Sequence, residues 1–208
     1  MQITDTIFLL IIIIFSAVIH ELMHGVAADQ LGDPTARYAG RLTLNPLPHL
    51  DPFGSILLPL LLAFSGSSFF FAWAKPVPYN PYNLRPGRFS EAIVAGAGPA
   101  SNLVIALLIG ALIRLAHFSA DVQAVLFIVV VVNVMLCLFN LIPVPPLDGS
   151  KVLDAFLPRS LSQGYSQWRT RMETNPFLGM GIVLIIVLVL GNLFGTAVYS
   201  LAQAIAGV

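Results

Sequence analysis

Four long apolar runs punctuate the chain, at residues 7–28, 92–116, 122–142 and 177–204, with polar, proline-containing connections between them. A membrane-spanning helix needs about 20 mostly apolar residues, and each run supplies that length. A fifth run, residues 53–71, is long enough to cross but contains Gly54, Pro59 and Gly66 and ends in a serine-rich patch before Trp73. After the prolines at 143–146 the pattern predicts a short helix from Ser150 to Phe156. The expected architecture is an all-α integral membrane protein. It is a polytopic helical bundle of about four to five membrane segments, forming one membrane-embedded domain over residues 1–208. Its core occupies about 7–156, and a C-terminal membrane helix lies at about 177–205.

Composition agrees with that reading. The chain is 57% hydrophobic and 10% charged, with mean hydropathy +0.88, where soluble domains carry about 25% charged residues. A net charge of zero gives no reason to expect a nucleic-acid partner. The single cysteine, Cys137, lies in an apolar run and cannot form an intrachain disulfide. The first run lacks a basic n-region and a small-x-small cleavage site, so it is read as a retained helix.

Cationic residues orient the helices. Cytoplasmic loops collect Lys and Arg. If residues 53–71 are re-entrant, nine of the ten cations (Arg37, Arg41, Lys75, Arg85, Arg88, Lys151, Arg159, Arg169, Arg171) share one side and only Arg114 faces the other. If the segment crosses, the best division is seven to three. The re-entrant arrangement is therefore expected, with both termini outside. Non-helical backbone at that depth is tolerated where it is buried in protein or lines a cavity.

The polar break in the first run carries the chemistry. His20-Glu21-Leu22-Met23-His24 spells H-E-x-x-H inside a membrane helix. Histidines four apart share one helix face, and each can give a ring nitrogen to one Zn²⁺ while the glutamate takes a proton from a water beside it. A carboxylate at the centre of a bilayer costs about 2.5–3.5 kcal/mol on insertion scales. A pair of hydrogen-bonded structural histidines is therefore an expensive alternative.

A catalytic zinc takes three protein ligands and keeps a position open. The candidates for the third are His49, Asp51, His117, Asp148 and Asp154. Asp148 is favoured, because Pro143, Pro145 and Pro146 stiffen the connector before it and Gly149 permits a tight turn after it. The competing role for Asp148 is to cap the helix that follows. Placing both sites on one membrane face requires an odd number of crossings between them, which again makes 53–71 re-entrant. His49 either lines the cleft and touches substrate or is a loop histidine at the interface. Asn140 either donates its amide to a developing oxyanion or substrate strand, or makes an interhelical hydrogen bond, as Asn102 and Asn133 also can.

H-E-L-M-H at 20–24, G-P-A-S-N at 98–102 and N-L-I-P-V-P-P-L-D-G at 140–149 together resemble the site-2 protease family of intramembrane zinc metalloproteases. Their order and spacing match its compact prokaryotic branch, which lacks PDZ or CBS domains. L-G-D-P-T-A at 31–36, L-T-L-N-P at 42–46, H-L-D-P-F-G at 49–54 and W-A-K-P-V-P at 73–78 are similar to it as well. The resemblance covers most of residues 15–155. It implies one Zn²⁺ on His20, His24 and Asp148, Glu21 as general base, and Asn140 as a contact to substrate or transition state. It also implies cleavage of transmembrane helices of other membrane proteins, from a site on the cytoplasmic side of the cell membrane. Two other functions remain as alternatives: a non-proteolytic zinc-binding scaffold or sensor, which would keep its function in Glu21→Gln, and a transporter, for which the expected internal repeats are not visible.

Overall fold

The computed structural model describes residues 3–51, 54, 57, 61 and 75–208. Among these residues every regular element is helical, as expected. The chain divides into two compact units, Met1–Arg85 and Pro86–Val208. Four helices are long and apolar enough to cross a membrane: Ile7–Gln30, Ser90–Leu115, Ala120–Asn140 and Phe177–Ala206. They coincide with the four predicted runs, with boundaries displaced by a few residues. The expected re-entrant segment at 53–71 lies, apart from isolated positions, outside the described residues.

In the first unit, helix α1 (Ile3–Gln30) runs into a tight turn at Leu31–Pro34 and a short helix α2 (Thr35–Tyr38). Gly32 takes φ +106°, a left-handed backbone that a side chain would strain. Asp33 follows and is fully buried. Its carboxylate accepts from the Thr35 hydroxyl (2.5 Å) and amide (3.2 Å), the Asn83 side chain (2.9 Å) and the Asn80 amide (2.6 Å). Burial alone would push this carboxyl up, but the hydrogen bonds outweigh it and hold Asp33 below the ordinary aspartate value. The Arg85 amide adds a bond to the Leu31 carbonyl at 2.7 Å. The extended stretch 75–80, ending in a 3₁₀ turn at Pro81–Asn83, is thereby fastened beside the end of α1. Arg41, also buried, donates to the carbonyls of Lys75 (2.7 Å) and Pro76 (3.3 Å). A second 3₁₀ turn at Leu47–His49 offers the His49 carbonyl to the Lys75 amide at 2.8 Å.

In the second unit, α3 (Ser90–Leu115) and α4 (Ala120–Asn140) are joined by a short loop, and α7 (Pro176–Ala206) packs against both. Ala106, Ile113, Val130, Val134, Val198, Ala202 and Ala206 form their shared core, with Phe127, Phe194 and Ile205 packed around it. Gly110 admits the close approach of α7: a Cβ there would meet the Ile205 carbonyl oxygen at 2.8 Å. One polar pair crosses this core, the Asn102 amide donating to the Asn133 side-chain oxygen at 2.9 Å with both residues fully buried. The outer face of α7 exposes Leu188, Val189 and Leu193 at 70–72%. In a helix of this length and composition such a face suits lipid rather than water.

Two shorter helices complete the unit. Helix α5 (Asp148–Phe156) begins two residues before the predicted Ser150. Helix α6 (Arg159–Thr174) was not foreseen. Arg169 on α6 is buried and donates to both carboxylate oxygens of Glu91 at the start of α3, at 2.8 and 3.2 Å.

Candidate metal centre and the residues around it

His20, Glu21 and His24 come together as the motif requires. One donor atom from each lies within 4.8 Å of the others. The imidazole centroids are 4.7 Å apart with the rings nearly perpendicular, and His20 and His24 are 5% and 9% exposed. Two imidazole nitrogens on one helix face make a donor pair suited to zinc, with the Glu21 carboxylate beside them.

Glu21 is half-buried and held from an unexpected direction. Its Oε2 accepts the Val77 main-chain N–H at 2.8 Å. Val77 is itself buried, between fixed neighbours: Arg41 binds the carbonyls just before it, and Asp33 binds the Asn80 amide just after it. Gly25, immediately after His24, makes this approach possible. A Cβ at Gly25 would lie 2.7 Å from Leu42 Cδ2, 2.9 Å from Val77 Cγ1 and 3.1 Å from Ala36 Cβ. The glycine beside the motif is thus a packing requirement of the segment that orients the glutamate.

Asp148 is the first residue of α5, half-buried. The N-cap position is taken by Leu147, in an extended conformation, and Asp148 supplies the acidic residue of the first turn. Gly149 is needed because the helix start presses on backbone. A Cβ there would sit 2.6 Å from the Ile142 carbonyl oxygen and closer still to the carbonyl carbon and oxygen of Leu141. The Pro-Pro-Leu-Asp-Gly run therefore folds the end of α4 directly against the start of α5.

The other third-ligand candidates have different engagements. Asp51 accepts from the Gly54 amide at 2.6 Å. Asp154 accepts from the Ser162 hydroxyl at 2.7 Å and faces Arg169 at 3.7 Å. His117 is exposed in the loop after α3. His49 is 1% exposed, and its Nε2 pairs with the Thr43 carbonyl at 3.0 Å. A substrate contact from His49 would require that loop to open. Asn140 ends α4, and its amide donates to the Leu136 carbonyl one turn back at 3.0 Å. Sequence reasoning missed the Val77 amide, because a main-chain donor leaves no side-chain signature, although the W-A-K-P-V-P run around it stood out.

A family model described as peptidase family M50 matches residues 113–188. Over a wider range, 160 residues or 73% of this chain, the protein is 40% identical to "Putative zinc metalloprotease YwhC" of Bacillus subtilis (strain 168), covering 69% of that protein. The chain belongs to peptidase family M50. This M50 peptidase is also 34% identical over 150 residues to "Putative zinc metalloprotease Rip2" of Mycolicibacterium smegmatis, and 31% identical over 145 residues to the Rip2 of Mycobacterium tuberculosis strain H37Rv. It spans 55% and 54% of the length of those two relatives. No solved structure matches the chain. Membership, with the four apolar helices, makes the protein a membrane metalloprotease.

Proposed function

We propose that this M50 peptidase binds one Zn²⁺ through His20, His24 and Asp148 and hydrolyses peptide bonds within or near the transmembrane segments of other membrane proteins. The observation that carries the reading is the His20-Glu21-His24 turn inside a membrane helix, with both histidines buried and its donor atoms within 4.8 Å of one another. Asp148 enters as third ligand on the chemistry of a catalytic zinc, which takes three N or O donors and leaves one position open. Its place in the P-L-D-G run, held against the end of α4 by the Gly149 contact, supports that role. Bound there, Zn²⁺ would act as a Lewis acid toward a water and toward the scissile carbonyl.

The chain's own residues divide the remaining work. The Val77 N–H on Oε2 fixes the Glu21 carboxylate and leaves Oε1 to accept the proton of the attacking water. Glu21 then delivers that proton to the leaving amine. Asn140 has one amide N–H on Leu136, and its second is the donor assigned to the substrate carbonyl. A helical substrate hides its carbonyls in i→i−4 hydrogen bonds, so it must unwind locally before cleavage. With residues 53–71 taken as re-entrant, the nine-to-one distribution of cations supports a site on the cytoplasmic side of the cell membrane.

The test pairs the full chain with Glu21→Gln in detergent, measuring zinc per chain and cleavage of a model transmembrane substrate. The expected result is about one zinc in both proteins and cleavage by wild type only. Zinc and function both retained in Glu21→Gln would instead indicate a metal-holding scaffold. Absence of zinc from both would return the histidines to structural roles.

A further inference from the structure

The second unit contains a cavity of about 280 Å³ between the start of α3, helix α5 and the start of α6. Three cationic residues, Arg88, Lys151 and Arg159, line it together with Glu91, Asp154 and Ser162. Both carboxylates are already engaged. Glu91 takes the guanidinium of Arg169 on both oxygens, and Asp154 takes the Ser162 hydroxyl and faces the same guanidinium. Arg169 is 8% exposed, so its charge is held against these acids. Glu173 also acts on Arg169, so four cations meet three carboxylates, a local charge of +1. Arg88 is held at the rim by a hydrogen bond to the Leu157 carbonyl and lies 5.8 Å from the Phe89 ring centroid.

A cleft of this kind repels a metal ion and gives a neutral ligand no charge to meet. Clustered guanidinium and ammonium groups match the oxygens of a phosphate, which accept charge-assisted hydrogen bonds. The start of α6, whose first amides have no carbonyl one turn earlier, adds favourable dipole. Phe89 and Phe156, next in sequence to lining residues, pack with ring centroids 5.5 Å apart and planes tilted by 55°, while remaining 47% and 68% exposed. The cavity thus has a basic interior and an aromatic shoulder at the end of a membrane helix, where anionic lipid headgroups are found.

We propose that this cavity is a phosphate-binding site, independent of the metal centre, in which Arg88, Lys151 and Arg159 hold the phosphate of an anionic headgroup or of a soluble phosphate compound. The full chain in neutral detergent would be titrated with dihexanoyl phosphatidylglycerol, dihexanoyl phosphatidylcholine and inorganic phosphate, with bound ligand read by native mass spectrometry and equilibrium dialysis. The expected result is saturable binding of phosphatidylglycerol over phosphatidylcholine, weakening as NaCl rises and reduced about tenfold in Arg159→Gln, with Arg159→Lys retaining most of it. Arg159 is an exposed first residue of α6, and an unchanged melting midpoint would show that the variant folds. Phosphatidylglycerol binding that inorganic phosphate does not displace assigns the site to lipid; displacement assigns it to phosphate of either source. The proposal is overturned if neither anion binds wild type, or if binding ignores salt and is unchanged in a Lys151→Gln/Arg159→Gln double variant. None of these readouts uses cleavage.

Discussion

Replacing Gly149 by alanine tests whether the P-L-D-G run holds Asp148 by backbone contact. The added Cβ would meet three main-chain atoms of Leu141 and Ile142 at 2.6 Å or less, whereas real side-chain carbons stay beyond 3.0 Å, so the first turn of α5 must retreat by 0.4 Å to clear Ile142 and further still to clear Leu141. Overpacking of this kind costs about 1–3 kcal/mol, and backbone neighbours that cannot rotate aside put this site at the upper end. Alanine's helix preference returns about 1 kcal/mol, leaving a net loss near 2 kcal/mol. For a chain of this size that lowers the melting midpoint by about 4–8 °C. Gly164 in α6 is the internal control. Nothing lies within 4 Å of a Cβ there, so Gly164→Ala should stabilise by about 0.5–1 kcal/mol. Since Asp148, the proposed third ligand, immediately precedes it, Gly149→Ala should also reduce cleavage at least tenfold, because misplacing a group at the site by about 1 Å is costly. Thermal unfolding of both variants in detergent, with cleavage measured well below the midpoint, checks the reasoning. A Gly149→Ala protein as stable and active as wild type would refute it.

Three further outcomes are expected. Val77→Pro removes the N–H that orients Glu21 and should lower the cleavage rate about 10–100-fold with bound zinc unchanged; equal loss of zinc would mean that the segment supports the helix rather than the base. Asp33 has a folded value below that of the unfolded chain, so its contribution to stability is present above about pH 4 and is lost as pH falls through the folded value. The stability gap between wild type and Asp33→Asn should therefore be widest near neutrality and narrow in acid, and a gap that widens on acidification contradicts the assignment. Asn102→Ala should cost about 0.6–1.7 kcal/mol, and less when combined with Asn133→Ala, because the pair bonds across the core; additive losses in the double variant would argue against coupling.

The parts of this fold that depend on local periodicity were legible. Runs of some twenty apolar residues gave the four spanning helices, and the four-residue spacing of His20 and His24 gave the metal-ready turn. Features resting on contacts distant in sequence were not. Nothing near Asp33 announces that its carboxylate will bind the backbone at Asn80, nor that Glu21 will meet the amide of Val77. Helix α6 escaped because its sixteen residues are mostly polar, with serines and Gly164 spread through them, and its role appears in the pairing of Arg169 with Glu91. Asn140 and Asn102 looked alike in sequence. The structure separates them, one bonded within its own helix and the other across to its neighbour.

The pinning of the chain near Lys75 bears on engineering. The His49 carbonyl and the Lys75 amide meet at 2.8 Å, and Asp33 clasps Asn80 just beyond, so the excursion between residues 49 and 75 is closed at its mouth. Doubling the length of such a closed excursion adds only about 0.6 kcal/mol of closure entropy. The length of that stretch can change at small cost while the clasp keeps Val77 seated against Glu21. An engineer inserting a foreign segment into the protein would begin there.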